Sequence, residues 1–176
     1  AMRSPLSGRV RTNVMRNIIS LAHVSLDGFM AGPGGDMSFV SMTPEMGDQI
    51  YPLIKTVDLS VYGRNTYQLM QGYWPAVVDD ATAGHRERDH ARWYMGVNKI
   101  VASRTLDKAP ANVRIVRDDI VGVLRAAKQE SGGDIMVFAS PTLMHTLIAA
   151  DIVDDYQLTI QPVLVGRGLP LFAQIE

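Results

Sequence analysis

The chain has 176 residues, of which 47% are hydrophobic and 20% are charged, with a formal net charge of -1. This length and composition are typical of one globular domain, and the near-neutral charge gives no electrostatic reason to expect nucleic acid or an anionic membrane as a partner. The absence of cysteine excludes disulfides, thiol nucleophiles and cysteine-based metal sites. It also suits a cytoplasmic enzyme, which is the localisation that we expect.

Residues 1–14 contain arginines but no apolar stretch of signal-peptide length. We therefore expect a flexible leader, part of it added for expression, followed by a single domain over residues 15–176. No window approaches 18 uninterrupted apolar residues, so the pattern predicts no membrane-spanning segment.

Strand and helix patterns alternate along this domain. Apolar runs predict strands at 17–24, 57–62, 98–103, 113–116 and 134–139, and a polar–apolar alternation predicts a half-exposed strand at 156–161. Apolar spacing and capping residues predict helices at 44–54, 64–70, 81–94 and 118–130, and another after Ser140. Gly- and Pro-containing segments predict loops at 25–39 and 72–80. The alternating order predicts an α/β layered fold.

Three places where a predicted strand ends share a composition suited to anions. They read Gly63-Arg64-Asn65-Thr66, Ser103-Arg104-Thr105 and Ser140-Pro141-Thr142. Glycine allows close approach of the backbone, hydroxyls add hydrogen bonds, and the arginine guanidinium matches phosphate geometry. Each turn alone is common in α/β proteins, but the three together suggest a ligand with several phosphates. The usual G-x-G-x-x-G dinucleotide fingerprint is absent from the sequence.

Four longer motifs occur in order: SLDGFMAGPGGD, YGRNTYQ, NKIVASRTL and DDYQLTIQPVLVGRGLPLF. With this combination the chain resembles the dihydrofolate reductase-like superfamily over about residues 17–172. It is most similar to the reductase domain of the bifunctional riboflavin-biosynthesis deaminase-reductase and its stand-alone relatives. The resemblance implies a three-layer α/β fold with a mostly parallel central sheet flanked by helices, NADPH as hydride donor, and a homodimer.

The resemblance also assigns roles to the three strand ends. Gly63, Arg64 and Thr66 match a turn whose helix start holds a cofactor phosphate. Ser103 and Arg104 match the strand end that meets the adenosine 2′-phosphate. The second pyrophosphate-binding helix start corresponds to Ala139, Ser140, Pro141, Thr142 and Leu143.

The nicotinamide is expected against the first strand. By the same resemblance it contacts the backbone near Ala22 and His23, and Met30 closes over it from the following loop.

Two departures from the family pattern bear on these expectations. Relatives usually carry glycine at the position of Ala139, and a methyl group there narrows the space for the pyrophosphate, while Pro141 removes one N–H donor. Relatives also continue past the G-x-G-x-x-x-F segment with a final pair of strands, so we expect the domain to lack its last strands here.

Reduction of a C=N or C=O bond also requires a proton. In dihydrofolate reductases a carboxylate on the first helix, a few residues after a tryptophan, helps to supply it. Phe39 stands near the tryptophan position and Glu45 or Asp48 near that of the acid, which makes Glu45 a candidate catalytic acid and Phe39 and Asp48 candidate substrate contacts. Glu45 also suits the dipole of a helix N-terminus without any catalytic role.

Asp27 in the SLDG motif is the second candidate acid. An aspartate before a glycine in a tight turn is also typical of a structural residue that binds its own loop amides. Water is the third candidate proton donor.

The four histidines, at positions 23, 85, 90 and 145, form no convincing metal set. His85 and His90 are five residues apart, which is not the spacing of a helical zinc pair, and we expect both on the surface.

The leading interpretation is an NADPH-dependent reductase of a small heterocyclic or carbonyl substrate. The most specific version of it is a reductase that acts on a ribosylamino-pyrimidine in riboflavin biosynthesis. The alternative is a non-catalytic nucleotide-binding or regulatory protein that kept the fold. A third interpretation is a dimerisation module, because the exposed edge of the DYQLTIQ strand could pair with a second subunit.

Overall fold

The computed structural model of the protein describes residues 15–138 and 140–172. The strands are β1 (Ile18–Ser25), β2 (Phe29–Ala31), β3 (Val57–Gly63), β4 (Asn98–Ala102), β5 (Val113–Val116), β6 (Asp134–Phe138), β7 (Asp155–Gln161) and β8 (Leu169–Pro170). The helices are α1 (Pro44–Ile54), α2 (Arg64–Val77), α3 (His85–Gly96), α4 (Ile120–Gln129) and α5 (Pro141–Ala149), with a short 3-10 turn at Pro33–Gly35. Among these residues, no helix combines the length and apolar character needed to cross a bilayer.

A six-stranded sheet organises the fold. Its order is β5-β4-β3-β6-β1-β7, and every neighbouring pair in it is parallel. The short strands β2 and β8, which the sequence patterns did not predict, form a separate antiparallel pair. The predicted α/β fold with a parallel central sheet is therefore confirmed.

Two apolar clusters cover the two faces of this sheet. One joins the sheet to α4 and α5 and contains Ile18, Val137 and Leu147, and the other joins it to α1, α2 and α3 and contains Leu21 and Tyr62. Successive strand residues belong to opposite clusters because side chains alternate across a sheet. The result is the predicted three-layer arrangement.

Two predicted boundaries on one side of the sheet are wrong. Helix α2 continues through Trp74 and Pro75 to Val77, where a loop was expected, because Trp74 stacks on His90 of α3 with ring centroids 4.2 Å apart. Packing of this kind can outweigh the poor helix propensity of proline. Helix α3 begins later than expected because Asp80 accepts hydrogen bonds from the N–H and hydroxyl of Thr82, which holds a turn instead.

The prediction that His90 lies on the surface is also wrong. Its side chain is buried against three aromatic rings, those of Tyr51, Trp74 and Trp93. Burial lowers the pKa of His90 from 6.5 to about 4, since an apolar environment disfavours the charged imidazolium.

This buried histidine predicts a loss of stability in acid. Because the folded-state pKa is depressed, the unfolded chain binds a proton below pH 6.5 that the folded chain does not bind until the pH nears 4. The free energy of unfolding should therefore fall by about 2 kcal/mol between roughly pH 7 and pH 5. Urea denaturation across this range should show a smaller loss for His90→Phe than for the wild type. His85→Ala, which removes an exposed histidine of the same helix, should leave the wild-type slope; equal slopes in all three proteins would contradict the assignment.

Candidate functional site

The carboxyl ends of the parallel strands bring the three predicted turns to one edge of the sheet. A cleft of about 380 Å³ is lined by the ends of β3 and β4 and by the starts of α2 and α5, including Gly63, Thr66, Ser140 and Thr142. A second cleft, of about 370 Å³, lies at the end of β4 and is lined by Ser103 and Arg104. The lining of both clefts includes Ala102, Ile120 and Thr146, so the two adjoin. We call the first the inner cleft, the second the outer cleft, and the two together the groove.

Gly63 and Ser140 are in direct contact in the inner cleft. The Ser140 hydroxyl accepts a hydrogen bond from the Gly63 N–H at 2.9 Å, and it lies 2.7 Å from the Thr66 hydroxyl. A Cβ atom on Gly63 would lie only 2.6 Å from the Ser140 Oγ atom. The glycine is therefore needed for the close approach of two helix starts that are far apart in the sequence.

The starts of α2 and α5 both open into this cleft without a side-chain cap. Ser140 was expected to cap α5, but its hydroxyl makes no cap hydrogen bond to its own helix and serves Gly63 instead. Thr43 and Asp119, by contrast, cap α1 and α4 with their side chains. First-turn N–H groups have no partner within the helix, so two uncapped starts side by side suit an anion.

The outer cleft carries a folded turn and exposed arginines. The Ser103 hydroxyl accepts hydrogen bonds from the N–H groups of Thr105 at 3.2 Å and Leu106 at 3.0 Å, so this predicted ligand residue also holds the turn. The Arg104 side chain is 82% exposed. Arg64 of the inner cleft donates a hydrogen bond to the Thr105 hydroxyl at 2.7 Å, which links that cleft to the turn after β4.

The first strand extends beyond its described pairing with β6. The ladder between β1 and β6 ends at Leu21 opposite Phe138, whereas β1 pairs with β7 as far as Ser25. Within the residues that the structure describes, no strand therefore lies beside Ala22 and His23 on the β6 side. This is the backbone at which the family resemblance places a nicotinamide.

The side chains of His23 and Met30 both contact other parts of the protein. The His23 ring forms a hydrogen bond through Nδ1 with the hydroxyl of Thr159 on β7, and burial lowers the pKa of His23. Met30 is only 1% exposed and belongs to the core, rather than lying over an open surface. Ala139 falls outside the described residues, as do the leader at 1–14 and the end at 173–176.

Asp27 joins two loops. Its carboxylate accepts hydrogen bonds from the Ser25 hydroxyl at 2.6 Å and from the N–H groups of Val165 at 3.1 Å and Gly166 at 2.7 Å. These bonds, led by that of Ser25, lower the pKa of Asp27 to about 2. An ionised carboxylate of this kind is an acceptor and holds no proton to deliver at neutral pH.

Glu45 lies in the first turn of α1, as its sequence position suggests. Its own backbone N–H and the Thr43 hydroxyl lower the pKa of this exposed carboxyl group. Glu45 is therefore also ionised at neutral pH, in the arrangement that a helix N-terminus favours.

The two predicted substrate contacts lie apart from each other. Phe39 is half-buried in the segment before α1. Asp48 forms an ion pair with Arg86 of α3 and lines a separate cleft of about 290 Å³ with His90 and Trp93. That cleft contains none of the predicted cofactor residues.

Several residues of the groove were missed by the sequence patterns. Thr146 lines both clefts and lies one helical turn after Thr142, so helical spacing from the predicted Thr142 could have found it. Arg117 and Asp118, which follow β5, line the outer cleft. No local motif marks them, because the parallel pairing of β4 and β5 brings them to Arg104.

Comparison with known proteins finds relatives over most of the chain. The family model of the RibD C-terminal domain matches residues 16–176. The uncharacterized protein YyaP of Bacillus subtilis (strain 168) is 31% identical over 161 residues, which cover 92% of this chain and 82% of the relative.

Solved structures show the same fold at lower identity. A protein of Shewanella sp. PV-4 whose name refers to riboflavin biosynthesis is 22% identical, with a TM-score of 0.65 over 91% of this chain and 85% of that one. A diaminohydroxyphosphoribosylaminopyrimidine deaminase/5-amino-6-(5-phosphoribosylamino)uracil reductase of Thermotoga maritima is 15% identical, with a TM-score of 0.60 over 90% of this chain and 48% of that one. Dihydrofolate reductase of Enterococcus faecalis, solved with NADP(H), is 14% identical, with a TM-score of 0.57 over 89% of this chain and 77% of that one.

Proposed function

Because the chain belongs to the RibD C-terminal domain family, we propose that it is an NADPH-dependent reductase of a small heterocyclic or carbonyl substrate. The observation that carries the proposal is the groove. Two uncapped helix starts open into its inner cleft, and an exposed arginine lies in the adjoining outer cleft. A dinucleotide with an additional 2′-phosphate has anionic groups that match both parts.

The residues of the groove fit such a cofactor. The first-turn N–H groups of α2 and α5 would hold the pyrophosphate, with the exception of Pro141, which has no N–H. Arg104 would pair with the 2′-phosphate. The backbone of Ala22 and His23 would receive the nicotinamide where β1 extends beyond its described pairing with β6.

NADPH supplies the hydride when it is bound, and the substrate also needs a proton. Asp27 and Glu45 are both ionised at neutral pH because hydrogen bonds hold their pKa values below the ordinary range. We therefore propose that water delivers the proton. Asp27 serves instead to hold the loop that contains Val165 against the end of β1.

The proposal is tested by calorimetric titration with NADPH and NADH. Arg104→Ala should weaken NADPH binding about 10- to 100-fold, because a charge-assisted bond to a phosphate is lost. It should change NADH binding less than about threefold, since NADH has no 2′-phosphate. Arg114→Ala, which removes an exposed arginine on β5 that lines a different cleft, is the matched control and should leave both affinities unchanged. Failure of the wild type to bind either nucleotide would refute the proposed function.

A nucleotide-binding protein without turnover is the second candidate. It is favoured by the same two ionised carboxylates, since neither candidate acid retains a proton at neutral pH. NADPH binding combined with a failure to oxidise NADPH across a panel of pterin, pyrimidine and carbonyl acceptors would favour this second candidate.

The homodimer remains a prediction. Three apolar residues of the edge strand β7 are exposed. The exposed fraction is 36% for Tyr156, 38% for Leu158 and 63% for Ile160. Apolar side chains on an unpaired edge strand suit a second subunit. Light scattering that gave a monomer at about micromolar concentration, in the range where most dimers persist, would contradict the prediction.

A further inference from the structure

The outer cleft contains an ion pair at the position proposed for the 2′-phosphate. The Arg104 Nε atom lies 3.6 Å from the Asp118 Oδ1 atom, and both side chains are 82% exposed. Both residues line the cleft. The guanidinium that would bind the phosphate therefore already faces a carboxylate.

The other charged side chains of this cleft are committed to the local fold. Arg117 donates hydrogen bonds to the backbone oxygens of Arg104 at 2.7 Å and Leu106 at 3.2 Å, and so holds the turn after β4. The Asp119 side chain accepts from the Gly122 N–H at 2.9 Å and caps α4. A ligand in the outer cleft would therefore interact with the charges of Arg104 and Asp118.

A carboxylate at this position affects the two nicotinamide cofactors differently. The 2′-phosphate of NADPH is a monoester with a charge of about −1.5 to −2. Asp118 repels this phosphate and also competes with it for Arg104. The 2′-hydroxyl of NADH is neutral and can donate a hydrogen bond to a carboxylate. Asp118 therefore opposes NADPH without opposing NADH.

We propose that Asp118 sets the cofactor preference of this chain by competing with the 2′-phosphate for Arg104, an inference that rests on the proposed function. Asp118 acts as a specificity-determining residue that narrows the preference for NADPH over NADH. Removal of its charge should sharpen that preference.

The test is the pair of dissociation constants for NADPH and NADH, measured by calorimetry at low salt for the wild type and Asp118→Asn. NADPH binding should tighten about fivefold, the size expected for an exposed charge pair, while NADH binding stays the same or weakens. The gain should shrink as salt is raised, because exposed charges are screened. The gain should also be smaller in the Arg104→Ala background, because only the direct repulsion between Asp118 and the phosphate then remains; an undiminished gain there would refute competition for Arg104.

Asp107→Asn is the matched control. Asp107 is 83% exposed and pairs with Arg117 at 3.3 Å in the same turn, so this variant makes the same change of charge nearby without facing Arg104. Its ratio of NADPH to NADH affinity should stay within about twofold of the wild type.

The results separate this inference from the proposed function. If both cofactors bind but Asp118→Asn leaves their ratio unchanged, or tightens both equally, the competition is refuted and the cofactor assignment stands. If neither cofactor binds the wild type or the variants, the cofactor assignment and the competition fail together.

Discussion

Asp58→Ala should lower the free energy of unfolding by about 3 kcal/mol, because it leaves a buried guanidinium without its counterion. Arg16 precedes β1 and its side chain is only 6% exposed, whereas that of Asp58 on β3 is 53% exposed. The Asp58 carboxylate also accepts the N–H of Gly133 at 2.8 Å, and Arg16 donates through Nε to the oxygen of the same glycine at 2.6 Å. This cluster joins the starts of β1, β3 and β6, at the edge of the sheet opposite the groove.

Urea denaturation at about neutral pH measures this effect, and two variants isolate its cause. Asp107→Ala breaks the exposed pair with Arg117 and should cost less than about 0.5 kcal/mol. The double variant Arg16→Met/Asp58→Ala should be more stable than Asp58→Ala alone, since an apolar chain of similar length replaces the unpaired charge. If Asp58→Ala costs no more than Asp107→Ala, the ion pair contributes nothing to stability and this explanation is wrong.

Local sequence rules were sufficient for the parts of the fold that depend on neighbouring residues. Thr43 caps α1 as predicted, and Pro44 occupies its first turn. The alternation of apolar and polar residues predicted β7 to within one residue. Because the parallel strands of an α/β fold end at one edge, the strand pattern alone indicates that the turns at Gly63, Ser103 and Ser140 meet there.

Long-range contacts account for what could not be predicted. Asp27 was expected to bind within its own loop and does so through the Ser25 hydroxyl and its own backbone, but it also accepts the N–H groups of the distant Val165 and Gly166. Helix α2 runs past Pro75 because Trp74 stacks on His90, and no rule for a single helix contains that contact. The hydroxyl of Ser140 has the sequence position of a helix cap, yet it binds Gly63 instead. In each case a tertiary partner replaces the local one or is added to it.

The same contact explains why the groove can exist. Ser140 makes no cap hydrogen bond to its own helix and accepts one from Gly63, so that two helix starts without a side-chain cap lie side by side. A cap on either helix would use N–H groups that an anion could otherwise bind. Glycine at position 63 is thus required for space and not for backbone conformation, since its φ angle is −77°.

Gly63→Ala should therefore damage both stability and nucleotide binding. A methyl group would lie 2.6 Å from the Ser140 Oγ atom and 3.0 Å from its Cβ atom, which forces the two helix starts apart. Overpacking of this kind costs about 2 kcal/mol in unfolding free energy. If the groove binds NADPH, the same displacement should weaken the complex roughly tenfold or more, because N–H groups of both helices must point at one pyrophosphate.

Two variants test whether the clash is the cause. Gly72→Ala lies on the same helix with nothing within 4 Å of the new methyl group, so it should be neutral or stabilise the protein by about 0.5 kcal/mol, as alanine in a helix does. Ser140→Gly in the Gly63→Ala background removes both clashing atoms and should recover stability relative to Gly63→Ala alone. Urea denaturation measures the stability of all four proteins, and calorimetric titration measures NADPH binding. A Gly63→Ala protein as stable as Gly72→Ala would show that the two helix starts can separate freely, and the contact between Gly63 and Ser140 would then not shape the groove.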